Sequence, residues 1–135
     1  MRVLALDYGS ARCGCAVSDP TGVLASPLEV VESPRSRRGL ARLRALVSEL
    51  GVQRVVVGLP VSLSGGDSPQ TTEARQFAAE LERVLAVPVE LYDERFTTVI
   101  AAHGGGRAAE DSRAAAVLLE DWLSARGRQE VAERG

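Results

Sequence analysis

The sequence predicts a single α/β domain: a mixed sheet of about five strands, an antiparallel meander followed by parallel strands, flanked by helices. Three observations lead there. Two apolar runs near the N-terminus, residues 3–6 and 13–17, are separated by a short turn through Gly9 and Ser10, as in a hairpin. Later apolar runs alternate with stretches of helical period, the signature of crossover units. A length of 135 residues provides a real core but no room for a second lobe.

Taken in order, the chain justifies each element. Val3, Leu4, Ala5 and Leu6 form a strand covered on both faces, and Asp7 closes it at the rim of the sheet. Residues 12–18 return beside it, and Asp19-Pro20-Thr21-Gly22 is turn chemistry leading to a third strand over residues 23–31. Pro27 has no N–H to give, so this third strand is an edge strand or carries a bulge. The polar residues 33–38 feed a helix whose Leu40, Leu43, Val47 and Leu50 recur at helical spacing, with Gly51 as its stop. Residues 54–59 are a buried strand that meets a breaker at Pro60 and a small polar loop over residues 61–68. Ser68 and Pro69 open a helix with Ala74, Phe77, Ala78, Leu81, Val84 and Leu85 on its inner face, ended by Pro88. A short strand over residues 89–92 then runs into Asp93-Glu94-Arg95. Strand, helix, strand, helix, strand implies parallel pairing through right-handed crossovers. Thr97 or Thr98 caps a short helix that stops at three consecutive glycines, 104–106. The last helix starts near Asp111 and carries Ala114, Ala115, Leu118, Leu119, Trp122 and Leu123. Residues 1–125 make the domain, and the charged residues 126–135, without an apolar repeat, make a flexible tail.

Composition narrows the function. A net charge of −2 gives no global attraction to nucleic acid or an acidic membrane, so any such contact rests on local features. All 16 basic residues are arginine, and lysine and asparagine are absent, which reads as the codon bias of a GC-rich genome rather than as 16 chosen ligands. No apolar run reaches membrane-spanning length and the N-terminus lacks the parts of a signal peptide, which points to a cytoplasmic protein with no membrane partner. Cys13 and Cys15 are alternate residues of one strand, poorly placed to bond each other and without a zinc spacing; they read as reduced core residues.

The acids carry the chemistry. Ala114, Ala115, Leu118 and Trp122 lie three, four, seven and eleven residues after Asp111, which puts Asp111 on the inward stripe of the last helix. It serves there as an N-terminal cap, or it points across the sheet toward a metal. Asp93 and Glu94 face opposite ways along their strand, at the carboxyl end where open sheets hold ligands; a surface ion pair with Arg95 is the plainer account. If the first and fifth strands end at one rim, Asp7, Glu94 and Asp111 converge, and carboxylates that close repel unless a cation neutralises them. Oxygen-only ligation selects Mg2+ or Mn2+. Two such ions roughly 4 Å apart suit in-line attack of water on a phosphodiester. Asp7 is then the bridging ligand, Glu94 and Asp111 hold one ion each, and Asp93 completes the metal-ligating set. Substrate phosphate is met by Arg95, by Ser10 and Arg12 of the first turn, and by Arg38 from the arginine-rich residues 35–44. His103 beside the glycine run either assists proton transfer or caps its helix.

Leu4-Ala5-Leu6-Asp7-Tyr8-Gly9-Ser10 with Arg12 and Gly14, Val57-Gly58-Leu59-Pro60, Asp93-Glu94-Arg95-Phe96-Thr97-Thr98 and Asp111-Ser112-Arg113-Ala114-Ala115 closely resemble the YqgF/RuvX family. Its members are described as Holliday junction resolvase-like and as nucleases maturing the 5′ end of pre-16S ribosomal RNA. The resemblance covers residues 1 to about 125 and implies a ribonuclease H-like fold and metal-dependent phosphodiester cleavage. By motif it makes Asp7, Glu94 and Asp111 the catalytic acids, with Asp93 and Arg95 in the acidic-arginine signature. It implies a nucleic-acid partner, precursor rRNA or branched DNA, and a homodimer if a symmetric junction is cut twice. The chain departs from the family pattern at residues 61–67 and at Ala108-Ala109-Glu110, where basic residues are usual. Two rival readings remain. A phosphotransferase of the actin and sugar-kinase kind uses a similar Asp-x-Gly-Ser turn but needs two lobes. A non-catalytic RNA- or ribosome-binding module would lack an aromatic stacking platform here.

Overall fold

In the computed structural model, which describes residues 1–59, 69–93 and 107–134, five strands form one sheet. They are β1 (Val3–Tyr8), β2 (Arg12–Ser18), β3 (Ala25–Glu32), β4 (Arg54–Leu59) and β5 (Val89–Asp93), in the spatial order β3-β2-β1-β4-β5. The meander β1, β2, β3 is antiparallel, whereas β4 joins β1 and β5 joins β4 in parallel. Helices α1 (Arg37–Glu49) and α2 (Pro69–Val84) make the two crossovers, and α3 (Arg107–Arg134) follows β5. Both crossovers step the same way across the sheet, so a common hand puts α1 and α2 on one face. That leaves the other face to α3.

Alternation along the strands sorts the core into two layers. Toward α1 and α2 point Leu4, Leu6, Tyr8, Cys13, Cys15, Val17, Val55 and Val57, packed on Leu43, Phe77 and Leu81. Toward α3 point Val3, Ala5, Ala16 and Val56, packed on Ala115, Leu118, Leu119 and Trp122. Pro27 does sit in an edge strand, and the β2–β3 register shifts between Gly14 and Ala16. Both cysteines are free and buried on the α1/α2 side.

Some boundaries differ from the sequence reading, for identifiable reasons. β3 begins at Ala25 rather than at residue 23, because the Val23 and Leu24 N–H groups donate to Asp19 Oδ1, both at 2.8 Å, and so complete the turn. In α2 the buried positions are Thr71, Ala74, Phe77, Ala78 and Leu81, while Val84 is 38% exposed at the last turn. α3 starts at Arg107, one turn before Asp111, since Arg, Ala and Glu all favour helix. Its backbone runs on past Ala125 to Arg134. Ala114, expected to face inward, is exposed: the buried arc runs through Ser112, Ala115, Ala116, Leu119 and Trp122, and Asp111 stands at its margin. The loop over residues 61–68, the short helix after Thr97, and Glu94, Arg95 and His103 lie outside the described residues.

Candidate active site

Two of the three predicted acids stand on elements that touch, and a glycine is the reason. Asp7 follows Val3 and Ala5 on the α3 side of β1, and its antiparallel partner in β2 is Gly14. Directly opposed residues have Cα atoms about 5 Å apart. A Cβ on Gly14 would stand 2.0 Å from the Asp111 carbonyl oxygen and 3.1 Å from its Cα. The backbone of α3 therefore rests on Gly14 itself, which sets Asp111 beside Asp7. Ser112 fixes that placement, its Oγ donating to the Leu28 carbonyl at 2.7 Å across on β3.

Charge at this spot is visible in its neighbours. Arg12 Nε lies 3.4 Å from Asp111 Oδ2, with each side chain about one-third exposed (32% and 33%). An ion pair that open to water is worth about 0–1 kcal/mol, so it yields readily to a stronger cation. Below the sheet, the Cys13 thiol is pushed well above its ordinary value by its hydrogen bond with Cys15 and by burial, and also by the charges of Asp7 and Asp111. Neither thiol shares the acids' face. Among the described residues the donors that Asp7 and Asp111 bring together are thus oxygens, with positive charge already drawn to them, which fits a hard divalent cation rather than zinc. Among those same residues no three His, Cys, Asp or Glu side chains make a metal group, Glu94 lying outside them.

The remaining candidates divide by face. Asp93 pairs in register with Leu59, a residue of the α1/α2 layer, and so stands on the side of the sheet away from Asp7 and Asp111. Ser10 is exposed in the turn between β1 and β2, close in sequence to Asp7. Arg12, read as a phosphate contact, is the partner of Asp111. Arg38 is exposed on α1, at the same end of the sheet but on the opposite face. Next to Asp7, Tyr8 points the other way, stacks on Phe77 at 4.7 Å between centroids and donates its hydroxyl to Glu73 Oε2 at 3.3 Å. Gly14 itself went unremarked as a site residue, although a glycine between two cysteines within a strand signals a close backbone approach.

A family model described as RuvX, Holliday junction resolvase, matches residues 1–125. The chain belongs to the RuvX family. Relatives named "Putative pre-16S rRNA nuclease" bear this out. One from Koribacter versatilis is 43% identical over 133 residues, covering 98% of this chain and 78% of the relative. Another from Streptomyces avermitilis is 45% identical over 132 residues, covering 90% and 85%. Membership makes this an enzyme of the nuclease class. Among solved structures, RuvC of Thermus thermophilus aligns over 93% of this chain and 96% of its own with a TM-score of 0.56 at 17% identity. The same protein in complex with Holliday junction substrate aligns with the same score at 19% identity. The RuvX-family chain therefore has the ribonuclease H-like fold. No helix among its described residues is long and apolar enough to cross a membrane.

Proposed function

We propose that this chain is a divalent-cation-dependent nuclease that hydrolyses phosphodiester bonds of precursor 16S ribosomal RNA in the cytoplasm. The observation that carries it is the seating of Asp111 on Gly14, the cross-strand partner of Asp7. It joins acids that lie far apart in sequence at one edge of the sheet. Asp7, Asp111 and Glu94 would hold Mg2+ or Mn2+. Glu94 enters this set as the second acid of the family motif Asp93-Glu94-Arg95. Bound there, such ions would lower the pKa of water and stabilise a leaving oxygen. The protein's own part is to fix the carboxylates on packed elements, to keep soft ligands on the other face, and to present Ser10 and Arg95 to the substrate phosphate. Arg12 acts as the counter-charge of Asp111, its Nε 3.4 Å from Oδ2.

The family's description favours a second substrate, the four-way DNA junction. Both are tested together. Labelled precursor rRNA and junction DNA are incubated with the protein in Mn2+ or Mg2+ and in chelator. Cleavage is expected with cation only, on the RNA, and Asp7→Asn lowers it more than about 100-fold, since even residues behind metal ligands cost 10–100-fold. Undiminished cleavage by Asp7→Asn overturns the mechanism. Preference for the junction, with a dimeric mass in solution, moves the assignment to resolvase, because symmetric strands need two copies.

A further inference from the structure

Away from the acids, one helix carries charge that the described carboxylates leave uncompensated. Arg37, Arg38 and Arg44 of α1 are exposed, and no carboxylate among the described residues pairs with them. Their neighbours are occupied. Arg35 is held by Glu80 at 2.6 Å and by Gln76 at 3.2 Å, and Arg42 by Glu29 at 2.6 Å and Glu49 at 3.7 Å. Arg37, Ala41, Arg44 and Ser48 recur at steps of four, three and four, so they form one outward ridge with only small side chains between the two arginines. Arg38 stands on its flank. Gly39, Leu43, Leu46 and Val47 fill the buried side. Arg37 and Arg44 are about 10 Å apart along the axis, at 1.5 Å per residue.

The ridge is mounted rigidly, and at the end of the sheet where the acids lie. Ser36 caps α1, its Oγ accepting from Gly39 N at 3.0 Å, and its own N–H donates to the Ser33 carbonyl at 2.9 Å. Ser33 N–H donates to the Ala11 carbonyl at 2.9 Å, in the turn that follows Asp7, Tyr8 and Gly9. A Cβ on Gly39 would stand 2.3 Å from the Ser33 oxygen, so the first turn of α1 lies directly against this strand end. The strand end is Glu32, which pairs in register with Arg12, the partner of Asp111.

Positive charges of this kind on a fixed helix, in a chain of net charge −2, favour a polyanion. The helix has no aromatic residue, so it offers no platform for the unstacked bases of a single strand. A sugar-phosphate backbone in a duplex is the ligand that needs only charge.

We propose that Arg37, Arg38 and Arg44 form a second phosphate-binding surface, which takes the backbone of a duplex arm flanking the cleavage point. The proposal rests on the nuclease reading: the arm leaves the acids, passes the rim and runs along α1. RNA and DNA duplexes share the required chemistry.

Binding is measured by fluorescence anisotropy in Asp7→Asn protein with chelator present, so cleavage plays no part. The probes are an RNA hairpin of about 16 base pairs, its DNA equivalent and a single-stranded oligouridine, across roughly 50 to 200 mM salt. The triple variant R37Q/R38Q/R44Q is expected to weaken duplex binding at least tenfold at the low-salt end. It should also reduce the slope of log Kd against log salt by about 2 to 3, nearly one for each phosphate that an arginine no longer neutralises. R37K/R38K/R44K restores both, and Arg83→Gln, an exposed arginine of α2, changes neither. A glutamine triple variant with wild-type affinity and slope overturns the proposal, as does an equal loss on the single strand. A wild type that binds duplex through the ridge yet cleaves nothing with cation overturns the nuclease reading alone.

Discussion

The two faces of the sheet are built to different rules. Toward α1 and α2 the packing is large, with Leu4, Leu6, Tyr8, Leu43, Phe77 and Leu81 interlocking. Toward α3, Leu118, Leu119 and Trp122 pack too, but the contacts nearest the acids are small, with Ala5, Ala16, Ala115 and Ala116 and with Gly14 touching the helix backbone directly. Large side chains bury more area and hold a helix at a distance, while small ones let it approach. Only the close approach sets Asp111 beside Asp7. The α1/α2 face thus packs by bulk throughout, and the α3 face gives up bulk where the acids assemble.

Substitutions on the two faces should then have opposite profiles, and the largest loss of stability belongs to the α1/α2 face. Leu81 is fully buried there, and Leu81→Ala is expected to cost about 2–5 kcal/mol by lost transfer energy and the cavity left behind. Chemical denaturation reads that cost. Nuclease turnover per folded molecule should stay near wild type at a temperature where the variant is folded. A large fall in turnover with folded protein would show that this face also shapes the site.

Gly14→Ala sharpens the contrast from the other side. Its methyl would meet the Asp111 carbonyl at 2.0 Å, and backbone, unlike a flexible side chain, cannot swing away. α3 must retreat or tilt, at a cost of about 1–3 kcal/mol typical of overpacking. That is less than Leu81→Ala costs, yet cleavage should fall below one-hundredth, as in Asp7→Asn, because a shift of about 1 Å in a catalytic group costs on the order of 100-fold. Wild-type turnover in Gly14→Ala would separate the acids from the close approach and undo the comparison.

Much of this was legible before any coordinates. The hairpin, the edge strand marked by Pro27 and the parallel second half all followed from turn chemistry and periodicity, because those signals are local. Asp7 was legible for the same reason, standing at the end of an apolar run. The facing of Asp111 is nearly so: Ala115, Leu118 and Trp122 of its stripe are buried and only Ala114 is exposed, since Ala114 and Ala116 are equally apolar and only the packing chooses between them. What could not be read was how distant elements meet. Nothing near Arg12 announces that its partner is Asp111, and nothing near Gly14 says which backbone will press on it. Equally, the arginines of α1 look alike in sequence, whereas the fold gives carboxylates to Arg35 and Arg42 and leaves none of the described ones to Arg37, Arg38 and Arg44.

The smallest effect is expected at a third aspartate, which tests whether acids at the rim are held differently from an acid in a turn. Asp19, at the other end of the sheet, is satisfied by the chain itself. It accepts from the Thr21 hydroxyl and from the Leu24 and Val23 N–H groups, and these hold its carboxyl well below the usual carboxylate range. A group whose pKa is lowered by folding stabilises the fold above its unfolded value and loses that contribution as pH falls toward the folded one. Asp19→Ala should therefore lower Tm slightly at pH 7, and the gap from wild type should close below about pH 4, where a free aspartate takes up its proton. Cleavage at neutral pH should be unchanged, since these bonds of Asp19 stay within its own turn. A gap that persists unchanged to pH 2, well below the free aspartate value, would mean that the turn is held by its backbone shape and not by the carboxylate. Asp111 is held in another way, by a half-open guanidinium from a neighbouring strand and by a helix pressed against the partner of Asp7, an arrangement that suits an exchangeable cation rather than a closed turn.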